Sequence, residues 1–160
     1  MKTDHSKRNG YIGLGALAVL TVATIVGSDP LYEFIDSKVS SGTYAKGTYT
    51  YEDGEFDESG YKDQVSVTIE DGVITQVSWD CVDADGNTKS QLSMDGEYIM
   101  TEDGLRWYEQ AEAVADYVIQ NQSVNGLTDE SGYTDAVASV SINLSGFVTG
   151  VEECLKQAAQ

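Results

Sequence analysis

Two cysteines and one histidine are the residue types in this chain that most often carry catalysis or bind metals. The histidine, His5, lies near the N-terminus, and no other histidine follows it. The rest of the chain therefore cannot hold a Ser-His-Asp or Cys-His arrangement, a histidine general base, or a His-ligated zinc or haem. Cys81 and Cys154 belong to no CxxC or CxxCH motif. Their spacing leaves both a disulfide and two free thiols open.

Acidic residues are the second group that could do chemistry. The chain has 27 Asp and Glu against 9 Lys and Arg, a formal net charge of -18. This charge repels phosphates, so we expect no nucleic-acid partner. Paired carboxylates could act as acid and base, but so many acids form close pairs by chance, and a solvated acidic face is the stronger interpretation.

The segment DADGN, Asp83 to Asn87, has the composition of a calcium loop but not its spacing. Taking Gly86 as the loop glycine would put Cys81 at the first ligand position and Leu92 at the last, and neither supplies an oxygen ligand there. We therefore expect a solvated turn and no metal site.

The N-terminal segment predicts a membrane anchor. Residues 1–10 form a basic leader, and the run from Tyr11 to Gly27 carries no charge. As a helix this run spans roughly 25 Å, close to the thickness of a bilayer core. Basic residues before it and acidic residues after it predict a cytoplasmic leader and an extracellular C-terminal domain, by the positive-inside rule. We expect a single-pass anchor in the cell membrane, with a cleaved signal segment as the alternative.

Residues 28–42 predict a stalk, and residues 43–160 predict one α+β domain. The segment QVSVTIE alternates in hydrophobicity, Asp71-Gly72 is a hairpin turn, and Val73, Val77 and Trp79 return in phase. A helical period then begins at Leu105, and a second helix begins near Asn143 or Ser145. The predicted fold is a small antiparallel sheet packed with two helices, preceded by a single N-terminal transmembrane helix.

From about Gly47 to Leu155 the chain resembles the FMN-binding domain family. The resemblance lies in the order of GTYTYEDGEFDESGYKDQVSVTIEDGVITQVSWDCVDADGNTKSQL, EYIM, WYEQAEAVADYVI and DAVASVSINLSGFV. The family includes flavin subunits of sodium-pumping quinone reductases and Rnf-type complexes, and extracellular flavoproteins that export electrons. The resemblance implies FMN as cofactor, a flavin transferase as a partner, and redox proteins or quinone as electron partners.

The family's motif, Asp-x-x-[Ser/Thr]-Gly-Ala-[Ser/Thr], maps onto residues 135–141. Asp135 and Ala136 keep the start of the motif, and Ser141 keeps the hydroxyl that can be joined to the FMN phosphate. Ser139 stands where the family has glycine, and Val140 where it has alanine; Ala138 replaces a hydroxyl residue. Beside the resemblance, backbone N–H groups at the start of the last helix are a natural phosphate cradle in so acidic a domain.

Apolar and aromatic side chains are needed around a flavin ring. Tyr98 and Met100 are favoured for this role because a loop leads into a helix there, whereas Trp107 and Tyr108 fit an ordinary core at least as well.

The sequence thus predicts a membrane-anchored extracellular flavoprotein that carries electrons, rather than a turnover enzyme with catalytic residues. The departures in the motif keep a second interpretation open, a surface binding module of the same fold without flavin. A third is a flavin-dependent extracellular reductase with a substrate pocket beside the ring.

Overall fold

The protein is described by a computed structural model that covers residues 44–100 and 102–159. One antiparallel sheet has the order β1 (Gly47–Glu52), β2 (Tyr61–Glu70) and β3 (Val73–Asp83). Three helices accompany it: α1 (Lys89–Met94), α2 (Trp107–Asn121) and α3 (Ser145–Ala158). The predicted α+β class and antiparallel sheet are confirmed. The prediction of two helices was wrong by one, because the six residues of α1 are too few to show a helical period.

The N-terminal predictions, the basic leader 1–10, the anchor 11–27 and the stalk 28–42, lie outside the described residues. Within residues 44–100 and 102–159, no helix is long and apolar enough to cross a membrane. The first described residues already belong to the domain, since Tyr44 pairs with Ala159 and the Ala45 N–H donates to the Ala158 carbonyl over 2.8 Å.

The hairpin of β2 and β3 turns at Asp71-Gly72, as the sequence predicts. Both residues have positive φ, 52° and 79°, the combination that two-residue hairpin turns require and that Asp-Gly tolerates. A register shift between Thr68 and Ile69 then changes the phase of β3. As a result Ile74 is fully buried while Val73 is half-buried, so the prediction that Val73 lies in phase with Trp79 was wrong.

The core lies between one face of the sheet and helices α2 and α3. Val65, Val67 and Ile69 of β2 are buried on this face, as the alternation predicts. The Trp79 ring lies 5.2 Å from that of Trp107 on α2 and 5.1 Å from that of Phe147 on α3, centroid to centroid. These aromatic contacts join both helices to the sheet.

Helix α2 is tied to the sheet at its C-terminal end by one side chain. Gln122 ends the helix in the left-handed region, with φ 56°. Its carboxamide oxygen accepts a hydrogen bond from the Ile74 N–H at 2.8 Å, and its nitrogen donates to the Ile74 carbonyl at 3.0 Å. Gln122 therefore pairs with β3 as a neighbouring strand would.

Candidate functional site

The predicted acceptor, Ser141, lies in the irregular segment that leads into α3. Its side chain is exposed, but its backbone is held by α2. The Gln110 carboxamide oxygen accepts hydrogen bonds from the N–H groups of Ser141, at 2.7 Å, and Ile142, at 3.3 Å. The hydroxyl is thus available to an enzyme or ligand, whereas these two N–H groups already have a partner.

Ser139 occupies a backbone conformation that favours glycine. Its φ is 65°, and only two other non-glycine residues of the described chain, Asp71 and Gln122, have positive φ. A residue with a side chain adopts this left-handed region at a cost of roughly 1–2 kcal/mol, which glycine avoids. The family's glycine falls on this position. Asp135 and Ala136 are exposed in the same segment, and Val140 is buried against the core.

Tyr98 and Met100 line a pocket of about 270 Å³ between α1 and the start of α2. Tyr98 is half-buried, with its ring edge-on to Tyr61 at 6.5 Å, and Met100 is 37% exposed. Glu102 and Arg106 bring opposite charges to the rim. The pocket thus combines aromatic, thioether and charged groups at the surface.

Gln110 connects the two sets of predicted site residues. While its oxygen binds the Ser141 segment, its amide nitrogen donates to the Leu105 carbonyl at 2.9 Å and lies 4.0 Å from the Met100 sulfur. Opposite ends of one buried carboxamide therefore contact the pocket loop and the acceptor segment. The sequence did not single out Gln110, although it is a polar residue at i+3 of Trp107 in the buried phase of a helix.

Two further buried polar residues were missed by the sequence analysis, Lys89 and Ser93 on α1. Together with Gln110 they are the buried polar or charged residues of the described chain. The Lys89 ammonium lies over three aromatic rings, 4.1 Å from the Tyr61 centroid, 5.4 Å from that of Tyr98 and 5.8 Å from that of Trp107. No regular pattern in the sequence marks these positions as buried.

The first turn of α3 already has anionic and polar neighbours from the protein itself. The Asn143 side-chain oxygen accepts from the Ser145 N–H at 2.9 Å. The Asp63 carboxylate packs so closely on Gly146 that a β-carbon there would come within 2.5 Å of the Asp63 carboxyl carbon. A carboxylate at a helix N-terminus uses the same favourable field that a phosphate would.

Both cysteines are buried free thiols in the structure. The Cys81 thiol donates to Asp63 over 3.1 Å, and the same carboxylate oxygen accepts from the Trp79 indole N–H at 2.6 Å. Burial first, and then the Asp63 charge, raises the pKa of Cys81 well above its ordinary range. Cys154 donates instead to the Tyr49 carbonyl at 3.4 Å, and burial raises its pKa too. Neither thiol is poised as a nucleophile.

The remaining sequence candidates belong to the core or the surface. Trp107 is buried and Tyr108 half-buried, in agreement with their core interpretation. The Asp83–Asn87 segment is a turn in which the Asp83 carboxylate accepts from the N–H groups of Asp85, at 2.9 Å, and Asn87, at 2.8 Å. Among the described residues, no group of three or more His, Cys, Asp or Glu is arranged to hold a metal.

The architecture defines a small α+β protein with a three-stranded antiparallel sheet. It is similar to a Clostridium thermocellum protein of known solution NMR structure, with 35% identity over 70% of this chain and 90% of that one and a TM-score of 0.52. The chain belongs to the same family as this C. thermocellum protein. A crystal structure of a Clostridium perfringens protein shares the fold, with 22% identity over 72% and 88% of the two chains and a TM-score of 0.59. No protein-family model and no curated protein matches the chain.

Proposed function

We propose that this protein is a membrane-anchored extracellular flavoprotein that binds FMN and carries electrons. The observation that carries the proposal is the arrangement around Gln110, which holds an exposed acceptor hydroxyl, Ser141, on one side and the Met100 loop on the other. Bound FMN would supply the redox chemistry, taking electrons from a reduced quinone or redox protein and passing them to an oxidised acceptor outside the cell.

The backbone at Ser139 supports the resemblance on which the proposal depends. The family motif has glycine at this position, and Ser139 adopts φ 65° despite carrying a side chain. Glycine adopts a positive φ without strain, so a positive φ at this position would explain why the motif has glycine there. The departure from the motif therefore changes the residue type but keeps a backbone conformation that suits glycine.

The second candidate, a binding module without flavin, is favoured by a different observation. Gln110 already satisfies the N–H groups of Ser141 and Ile142, and the Asp63 carboxylate lies at the start of α3. Free N–H groups for a phosphate are therefore fewer than the sequence predicts.

A covalent phosphoester suits this situation better than reversible binding, because attachment to the Ser141 oxygen does not depend on those N–H groups.

The test is the intact mass of full-length protein produced with a flavin transferase. We expect an increase equal to one phosphoester-linked FMN and yellow colour that survives denaturation. Ser141→Ala should lose both, whereas Ser145→Ala, four residues further along and also exposed, should keep both. Colourless wild-type protein of unmodified mass would favour the binding module.

The location is tested separately. We propose that residues 11–27 anchor the protein in the cell membrane with the acidic domain outside, since basic residues precede the run and acidic residues dominate after it. Protease added to intact cells should then digest the domain. A domain that resists protease until the cells are lysed would contradict this topology.

A further inference from the structure

Each of the three buried polar side chains of the described domain, Lys89, Ser93 and Gln110, either lines one pocket or lies near a residue that lines it. Ser93 and Tyr98 line it, as does Met100, whose sulfur lies 4.0 Å from the Gln110 amide nitrogen. Lys89 lies four residues before Ser93 on α1, so the two share a helix face, and its ammonium is 5.4 Å from the Tyr98 ring. Polar groups that converge on a largely apolar pocket are typical of ligand sites.

Ser93 is the residue that most directly indicates a ligand. It is 1% exposed, and its hydroxyl is the one buried side-chain polar atom of the described residues that has no hydrogen-bond partner. Proteins rarely leave a buried hydroxyl unpaired, because its lost contact with water is not compensated. A group that enters the pocket could supply the missing partner.

Size and position indicate what part of a ligand fits. The volume of about 270 Å³ is near the lower limit for small-molecule sites, so the pocket suits a single ring system rather than a whole nucleotide. Two larger clefts, of about 480 and 430 Å³, adjoin the sheet and share Ser78, Trp79 and Asp80. Tyr98 lines neither of them, and neither contains an unpaired buried polar group.

We propose that the Ser93 pocket holds the isoalloxazine ring of the flavin, with the Ser93 hydroxyl bonded to its polar edge and Tyr98 and Met100 against its faces. The assignment rests on the proposed function. Gln110 contacts both the Met100 loop and the acceptor segment, and on this basis the phosphate on Ser141 and the ring in the pocket are assigned to one molecule. The Lys89 ammonium, 5.4 Å from the Tyr98 ring centroid, would add positive charge that favours the more negative, reduced ring.

The experiment uses full-length protein produced with a flavin transferase and compares Ser93→Ala with Ser78→Ala. Ser78 is the matched control because it is a serine that lines both rival clefts. In wild type we expect quenched flavin fluorescence, because Tyr98 lies against the ring, and a flavin absorption band shifted from that of free FMN. Ser93→Ala should shift the band back towards free FMN, and Tyr98→Leu should relieve the quenching. Lys89→Met should lower the reduction potential, and Ser78→Ala should change none of these properties.

A second readout needs no flavin. In protein made without FMN, Ser93→Ala removes an unpaired hydroxyl, so the Tm should stay the same or rise. A marked fall in Tm would mean that the hydroxyl has a structural partner, and would overturn the assignment.

The outcomes separate the two proposals. Suppose that the mass shows covalent FMN, but the absorption spectrum and the fluorescence are unchanged by Ser93→Ala and Tyr98→Leu. This result would overturn the ring site and leave the proposed function intact. Changes caused by Ser78→Ala instead would move the ring to the sheet clefts. Protein that takes up no flavin would contradict both proposals.

Discussion

The Gln110 side-chain oxygen accepts a hydrogen bond from the Ser141 N–H over 2.7 Å, across 31 positions of sequence. The bond joins the middle of the helical layer to the segment that carries the predicted acceptor hydroxyl. Gln110 is 1% exposed and uses both ends of its carboxamide, so water cannot readily replace either contact. The position of the acceptor segment therefore depends on one polar side chain within an otherwise apolar helix face.

We predict that Gln110→Leu lowers the free energy of unfolding by roughly 1–3 kcal/mol. Leucine is similar in volume, so the loss would come from the N–H groups of Ser141 and Ile142 that are left without a partner. Urea unfolding would measure it. Gln120→Leu, at an exposed position of the same helix, should change stability by no more than about 0.5 kcal/mol. Equal effects of the two variants would contradict the role of the Gln110 bond.

Substitutions of Ser139 test whether the segment requires a left-handed backbone conformation at this position. Ser139→Val should destabilise the protein by about 1–2 kcal/mol, because β-branched residues tolerate positive φ poorly. Ser139→Gly should leave stability within about 1 kcal/mol of wild type, since relieved strain is offset by greater freedom of the unfolded chain. It should also keep covalent flavin, measured by intact mass. If valine were accepted as readily as glycine, the φ of 65° would not constrain the residue.

The sequence predicted the structural features that depend on local pattern. It did not predict the features that depend on tertiary contacts. Asp71-Gly72 marks the hairpin because its turn chemistry is local. The register shift that buries Ile74 in place of Val73 depends on how two strands pair, and no residue type in β3 marks it. Gln110 could have been recognised as a polar residue in the apolar phase of α2. The burial of Lys89 and Ser93 could not, because it depends on Tyr61, Tyr98 and Trp107 meeting above a short helix.

Gly150 lets α3 approach the sheet closely. A β-carbon at this position would lie 2.8 Å from the Val65 β-carbon, closer than packed side chains allow. We predict that Gly150→Ala destabilises the protein by roughly 1–3 kcal/mol through overpacking, although alanine is the better helix former by about 1 kcal/mol. Thr149→Ala, at an exposed position of the same helix, should be neutral or slightly stabilising. Stabilisation by Gly150→Ala, measured by thermal unfolding, would show that α3 can move away from β2 at little cost.

The two buried thiols predict a loss of stability at alkaline pH. Burial raises the pKa of both Cys81 and Cys154 in the folded protein, and the Asp63 charge adds to the effect on Cys81. Below the ordinary thiol pKa of about 8.5, both folded and unfolded chains keep these protons, and the stability is fully present. Above it, the unfolded chain releases protons that the folded chain retains, so the free energy of unfolding falls as the pH rises.

Urea unfolding midpoints between pH 7 and pH 10 would measure this dependence. Tyr51, whose hydrogen bond to Asp53 raises its pKa to about 12, adds to the decline only near pH 10, where an unfolded tyrosine ionises. Cys81→Ala should flatten the decline. Asp63→Asn should flatten it only in part, because the amide removes the neighbouring charge while the thiol stays buried and the Trp79 indole keeps an oxygen acceptor. Native protein should also react slowly with iodoacetamide at pH 8 until it is unfolded. A midpoint that is constant up to pH 10, or rapid alkylation of the native protein, would contradict the buried state of the two thiols.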